Sequence, residues 1–513
     1  MTSSEPAVHC GARSRPYAEL HLRAAQVAAG LRDLGVVPGD RIAIVLRNDF
    51  AFLEASAAAA IAGAAPVPVN WHWKDHELAH LLTDSGSKVV FAHTDFVAGI
   101  EAVLPEGVTI VEVAIAPDLL EAYRLPQSAA QPTGRHPEYE SWLASYQPLL
   151  EAPSSAAMSV IYTSGTTGRP KGIIRDSVST EDRIAGLGVV LNRLGMKPNS
   201  RTMVPAPMYH TAPNVHALIA VALGMDLVVL PRFEPEEFLR IIDEHKVDHI
   251  QMVPTMFVRL LQLPEAGRSK YDLSSLDTVV HAAAPCPVDV KRQMIDWFGP
   301  VITEYYGGSE TGPVVWCDSE EWLAHPGTVG HPCDGSTIKI VDDDGNEVPV
   351  GEVGTVYAKP GDSWPNFTYL GDDEKRRNME LDGFLTVGDV GRVDSDGYLY
   401  LTDRKNDMVI SGGVNIYPAE IENVLYELEG VRDVAVFGIP DPDFGEALAA
   451  HIDADPAAGL TEATVRDFVK QRMAGYKVPK VVVFDDNLPR EESGKLFKRK
   501  IKDTYWDGDV RIG

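Results

Sequence analysis

The residues best suited to chemistry lie in the stretch Tyr162-Thr-Ser-Gly-Thr-Thr-Gly-Arg-Pro-Lys-Gly172, which follows the mostly apolar run from Ala156 to Ile161. Gly165 and Gly168 let backbone N–H groups approach an anion closely. Thr163, Ser164, Thr166 and Thr167 carry hydroxyls, and Arg169 and Lys171 bring positive charge. That combination suits a polyphosphate. It is not the Walker arrangement, which needs a wider glycine spacing and a Ser or Thr after the lysine, whereas Lys171 is followed by Gly172.

The stretch resembles the signature loop of the AMP-forming adenylating superfamily, which contains acyl-CoA synthetases, peptide-synthetase adenylation domains and beetle luciferases. Further segments follow in the family's order. Glu304-Tyr-Tyr-Gly-Gly-Ser-Glu-Thr-Gly312 resembles its second signature. The resemblance places Tyr306 against adenine and brings Ser309 and Glu310 to the α-phosphate and the metal, with Glu304, Tyr305 and Gly307 also beside the nucleotide and Gly308 beside the acyl group. Thr is the commoner residue where Ser309 stands. His281-Ala-Ala-Ala-Pro285 is similar to the Gly-Ala-Pro segment, with alanines for the usual glycines. By that likeness Ala283, Ala284 and Pro285 line the nucleotide, and His281 and Ala282 the acyl pocket. Met208-Tyr209-His210 falls where the family sets an aromatic residue or His at that pocket.

Gly388-Asp389 with Tyr398–Arg404 resembles the ribose-binding stretch, in which Asp389 accepts from both ribose hydroxyls and Arg404 also contacts the nucleotide. Gly412 and Gly413 fall where acyl-CoA synthetases admit the pantetheine arm. Asn406 stands at the domain hinge, where Asp or Lys is typical. Pro489-Arg-Glu-Glu-Ser-Gly-Lys495 resembles the final signature, whose lysine bridges the substrate carboxylate and the α-phosphate. Thr163 to Gly168 and Lys171 then hold the pyrophosphate end, and Thr166 joins Glu310 at Mg²⁺.

The resemblance implies an AMP-forming acyl-CoA synthetase acting on a hydrophobic carboxylic acid of fatty, steroid side-chain or aryl type, with ATP, Mg²⁺ and coenzyme A. A weakly nucleophilic carboxylate attacks the α-phosphorus, so cations and preorganised donors are the tools required. A hard cation needs only one or two carboxylates beside phosphate oxygens. Three alternatives stay open: an adenylating enzyme that loads a carrier-protein thiol, a luciferase-like oxygenase and a non-catalytic acyl or nucleotide sensor.

These residues need a scaffold, and the hydrophobic pattern supplies one. Helical spacing from Tyr17 to Leu34 and from Phe50 to Ile61 alternates with strand-like Arg41–Leu46 and Ala65–Val69, and the alternation recurs from Phe238 to Leu263. This predicts an α/β fold with parallel sheets covered on both faces. The helix at Tyr17 comes early, as if the family's lead-in were shortened. After about Gly327, short strands and Asp/Gly turns predict a β-rich subdomain over 327–403. The expected organisation is an N-terminal adenylate-forming domain over 1–403, a hinge at 404–406 and a small mobile α+β domain over 407–513.

Length and charge agree with this organisation. At 513 residues the chain exceeds one compact core, and its formal charge of −28 disfavours nucleic acid or an anionic membrane as a general partner. Yet residues 470–502 hold ten Lys or Arg against four Asp or Glu, a landing site for the phosphates of ATP and coenzyme A. The cysteines at 10, 286, 317 and 333 show neither paired nor zinc-type spacing, and the N-terminus shows no signal-peptide pattern; both predict a cytoplasmic protein. The apolar run Val215–Leu230 contains Asp226 and predicts a buried helix then strand, not a membrane span. Dimers are common among such enzymes.

Overall fold

The computed structural model describes residues 5–73, 75–150, 158–163, 170–176, 188, 191–333, 335–362, 364–404, 407–411, 414–490 and 496–506. The chain divides into two compact units: Met1–Met252, Ser269–Val280 and Asp362–Asn378 make the first, and Val253–Arg268, His281–Gly361 and Met379–Gly513 the second. No helix among the described residues is long and apolar enough to cross a membrane. All four cysteines are unbridged.

In the first unit, the helix Tyr17–Asp33 is preceded by an antiparallel hairpin, β1 (Ala7–Cys10) and β2 (Arg13–Pro16). β3 (Arg41–Val45), β4 (Ala65–Pro68), β5 (Val89–His93) and β6 (Thr109–Val113) form an all-parallel sheet in the order β4-β3-β5-β6. β4 and β5 are buried along their whole lengths, as a sheet covered on both faces requires. A second sheet runs β12-β11-β9-β10-β1-β2 through β9 (Arg201–Val204), β10 (Asp226–Val229), β11 (His249–Met252) and β12 (Thr278–His281). A third joins β7 (Ile161–Thr163), β8 (Lys171–Arg175) and β18 (Phe367–Tyr369), all antiparallel.

Local chemistry sets the helix ends. Asp49 accepts from the Phe50 N–H at 2.7 Å at the start of helix Phe50–Ala62, which stops at Gly63 with φ 75°. Helix Pro235–His245 begins with Pro235 at its first turn and the Glu234 carboxylate accepting from the Glu237 N–H at 2.8 Å. The run Val215–Leu230 resolves, as its pattern predicts, into the end of helix Thr211–Ala222 and β10.

The second unit is β-rich. β13 (Ile302–Gly308), β14 (Gly312–Cys317) and β15 (His331–Pro332) form an antiparallel meander. β16 (Thr337–Val341), β17 (Gly354–Lys359), β19 (Glu380–Leu381), β20 (Phe384–Leu385), β21 (Asp389–Val393) and β22 (Leu399–Arg404) form a sheet ordered β19-β20-β17-β21-β22, with β16 on β17. Beyond it, β23 (Val409–Ser411), β24 (Val414–Ile416), β25 (Val431–Asp441), β26 (Gly445–Ala454) and β27 (Val481–Phe484) make a five-stranded sheet. Val409, Ile416, Val434 and Ile452 of that sheet share a core with Ile421 and Leu425 from helix Pro418–Tyr426 and Val465 and Val469 from helix Glu462–Arg472.

Candidate active site

The phosphate-loop candidate is framed by a tight hairpin in the first unit. β7 and β8 pair Thr163 with Lys171 and Tyr162 with Gly172, so the two ends of the loop are held side by side. A Cβ on Gly172 would sit 2.8 Å from the Tyr162 ring, so glycine is required for that approach. The Tyr162 hydroxyl donates to Asp84 at 2.7 Å, and Lys171 pairs with Asp372 at 2.8 Å. The Lys171 ammonium holds the Asp372 carboxyl below the usual carboxylate range. Ser164, Gly165, Thr166, Thr167 and Gly168 lie outside the described residues.

His210 is half-buried just before helix Thr211–Ala222, its ring 4.3 Å from that of Tyr209. Two asparagines fix the segment that leads to it. Asn48 donates to the carbonyls of Ala206 at 2.9 Å and Leu230 at 3.0 Å and accepts from the Met208 N–H at 2.8 Å, while Asn214 donates to the Met208 carbonyl at 3.1 Å. Neither asparagine carries a signal in the sequence.

In the second unit, the fold joins residues far apart in the chain. The Tyr306 hydroxyl donates to Asp389 Oδ2 at 2.7 Å, so the residues that the resemblance sets at adenine and at ribose are in direct contact. The β21–β22 register pairs Asp389 with Arg404. Gly388, with φ 85°, turns the chain immediately before Asp389. After Tyr306 the β13–β14 ladder shifts register, and a Cβ on Gly307 would lie 1.8 Å from the Gly312 carbonyl oxygen. Only glycine fits there. Gly308 donates its N–H to Thr311 Oγ1 at 3.0 Å; a Cβ on it would come within 3.0 Å of Glu310 Oε2 and 3.2 Å of Val387. Two glycines thus lead the chain, without side chains of their own, into the half-buried Ser309 and Glu310.

No group of three or more metal-ligating side chains occurs among the described residues. A single carboxylate at a glycine-lined turn nevertheless fits Mg²⁺, which takes most of its ligands from phosphate and water. Glu310 is the residue that would hold it, and the ion would neutralise charge on the phosphates.

The His281–Pro285 segment shows strain and burial. Ala283 is held at φ 76°, in the left-handed region where a β-carbon is unfavourable, and is exposed, as is Pro285. Ala284 is half-buried and Ala282 buried. His281 is fully buried, with its ring edge-on to Phe257 and Nε2 3.5 Å from Glu304 Oε2. Burial, with the charge of Lys291 second, holds His281 well below the ordinary imidazole range, so it is neutral. The Glu304 carboxylate accepts from the Lys291 ammonium at 2.5 Å, inside the protein. The Glu304 side chain is thus taken up inside the protein. Tyr305 is half-buried.

Lys495, Asn406, Gly412 and Gly413 lie outside the described residues, and for Arg404 only the backbone is described. Their neighbours are well anchored. Arg490 pairs with Asp433 through two nitrogens, at 2.5 and 2.6 Å, and Lys498 donates to Glu422 at 2.8 Å. Asp403 accepts from the Ala419 N–H at 2.9 Å, at the start of the Pro418–Tyr426 helix.

Comparison with known proteins identifies the family. Residues 1–362 match the family model described as AMP-binding enzyme, and residues 420–495 that of the AMP-binding enzyme C-terminal domain. The chain belongs to the AMP-binding enzyme family. Its class is the AMP-forming acid–thiol ligases, for which ATP with Mg²⁺ is the activating nucleotide. This family member is 34% identical over 510 residues to a feruloyl-CoA synthase from Amycolatopsis sp, covering 98% of this chain and 97% of that one. It is 30% identical to the fatty acid–[acyl-carrier-protein] ligase ScoC of Streptomyces coeruleorubidus, covering 99% and 94%. Among solved structures, ATP-bound MatB from Rhodopseudomonas palustris superposes with a TM-score of 0.82 at 28% identity, covering 98% of this chain and 97% of that one.

Proposed function

We propose that this enzyme joins a hydrophobic carboxylic acid of aryl, fatty or steroid side-chain type to coenzyme A through an acyl-adenylate. The observation that carries the reading is the Tyr306–Asp389 contact, which joins an aromatic ring and a carboxylate beside the glycine-lined turn of Ser309 and Glu310. Tyr306 stacks on adenine, Asp389 accepts from the ribose hydroxyls, and Ser309 donates to the α-phosphate as the carboxylate attacks. The loop from Thr163 to Gly168, with Lys171, holds the departing pyrophosphate. Lys495 bridges the carboxylate and the α-phosphate during adenylation. A domain boundary at 404–406, with Asn406 as the hinge, lets the C-terminal part turn so that thiol reaches the adenylate past Gly412 and Gly413. His281, Ala282, Gly308 and His210 border the acyl group, and the names of the relatives support an aryl or fatty acid there.

The carrier-protein reading is favoured by one relative, ScoC, and the same experiment separates the two. Purified protein is incubated with MgATP, coenzyme A and a pooled panel of aryl, medium-chain, long-chain and steroid-side-chain acids, and the products are read by mass spectrometry. A new acyl-CoA is the expected result. AMP or acyl-adenylate without any thioester would overturn coenzyme A as the acceptor.

A further inference from the structure

We infer that Lys291 is a positioning residue for nucleotide binding: its buried pair with Glu304 pins the register of β13 and so the place of Tyr306, Ser309 and Glu310. The inference rests on the adenylation reading of those three residues. Lys291 lies in helix Val288–Phe298 and is 0% exposed; its ammonium is 2.5 Å from Glu304 Oε2 and 5.0 Å from the centre of the Trp322 ring. Glu304, only 4% exposed, stands two residues before Tyr306 on the same face of the strand.

A buried Lys–Glu pair adds little net stability over an apolar pair of equal volume, because desolvating both charges offsets their attraction. What it supplies is a geometric condition, since breaking the pair leaves an uncompensated charge in the interior. β13 needs such a condition. Its ladder with β14 runs Glu304 against Cys317, Tyr305 against Trp316 and Tyr306 against Val315, then shifts register between Tyr306 and Gly307. A bulge offers a strand two neighbouring registers, and a slip of one residue would turn Tyr306 away from Asp389 and onto the opposite face. The Lys291–Glu304 pair acts before the bulge. After it, Gly307 and Gly308 bring no side chains of their own to the ladder.

His281 is the third polar group at this point. Its Nε2 lies 3.5 Å from the same Glu304 oxygen, and neither ring nitrogen has a hydrogen-bond partner among the described residues. Neutral, it leaves the pair balanced at one charge of each sign. His281 also opens the segment that leads to Ala283–Pro285, so the pair stands where two of the motif segments begin.

The test is AMP binding by titration calorimetry, which needs no acid substrate. The full chain carries Lys291→Met together with Glu304→Leu, which removes both charges while keeping the volume. The double variant is expected to melt within a few degrees of the parent yet bind AMP about ten-fold more weakly. A folded double variant with parental affinity would overturn the inference. Should the double variant fail to fold, Glu304→Gln decides the matter, because it keeps the shape and a neutral hydrogen bond while removing the charge. Weakened AMP binding in a variant of parental melting temperature supports the role, and unchanged binding overturns it. A parent that binds AMP but makes no acyl-CoA sinks the ligase reading without touching this one, whereas a parent that does not bind AMP sinks both.

Discussion

Ala283 carries a β-carbon at φ 76°, a conformation that costs an L-residue roughly 1–2 kcal/mol and that glycine adopts freely. The segment keeps this shape even though alanine has replaced glycine, so the strain is borne by the rest of the fold. Ala283→Gly is therefore expected to raise stability by about 1 kcal/mol, the relief of strain being partly offset by glycine's greater freedom in the unfolded chain. Urea unfolding checks this, and a lowered midpoint would show that the site carries no such strain. At this scale the sequence is informative about which residue types are present and poor about which of them touch. Tyr306 and Asp389 are each readable from their own motifs, but their hydrogen bond joins two separate β-ladders and leaves no trace in local spacing. Lys291 is hidden for a stronger reason. A lysine in an amphipathic helix is read as a solvated residue, and nothing nearby in sequence reveals that it points inward to Glu304.

The β13–β14 turn shows how an element can dictate its residues. A Cβ at Gly307 would fall 1.8 Å from the Gly312 carbonyl oxygen, and both groups are backbone, so one of the two strands must move. Gly307→Ala is expected to cost about 1–3 kcal/mol, read as a lower melting temperature, and to weaken AMP binding by displacing Tyr306. Gly308→Ala is the control for melting temperature, since the tight contacts of its Cβ would be with the Glu310 carboxylate and a Val387 methyl, both ends of side chains that can shift. Equal melting temperatures for the parent and Gly307→Ala would show that this approach is not fixed. The other elements were legible where periodicity is strong. The helices starting at Tyr17 and Phe50 and the strand starting at Arg41 lie where the pattern puts them. The hairpin Ala7–Pro16 is too short for a period to show, and in Gly445–Ala454 the run Glu446-Ala-Leu-Ala-Ala has helix-like composition. That strand forms because it lies between β25 and β27, where small residues suit a buried position.

Across the whole molecule, acid should act first through buried histidines. His93, His216, His249 and His281 are all 5% exposed or less, and burial holds each below the ordinary imidazole range, His249 at about 4. The unfolded chain takes up protons at these positions below about pH 6.5, while the folded chain resists them, so the unfolded state binds more protons and stability falls as pH falls. Each histidine contributes a slope of up to about 1.4 kcal/mol per pH unit within that window, and none above it. The carboxylates pushed upward by burial, Asp49, Asp248, Glu304 and Asp453, work in the opposite sense, since the folded state holds their protons more tightly. Their extra proton uptake in the folded chain begins above their unfolded values near 4, so it offsets part of the histidine loss as the pH falls. Protonation also relieves the self-repulsion of a chain with charge −28, but that long-range effect is screened by salt whereas the burial of a histidine is not. Urea unfolding at pH 7.5, 6.5 and 5.5 in about 0.3 M NaCl should therefore show a plateau followed by a steep loss. Three of the four histidines belong to the first unit, so where two transitions separate, that unit's should move further with acid. A midpoint unchanged down to pH 5.5 would mean that these rings are reached by water and protonated in the folded chain.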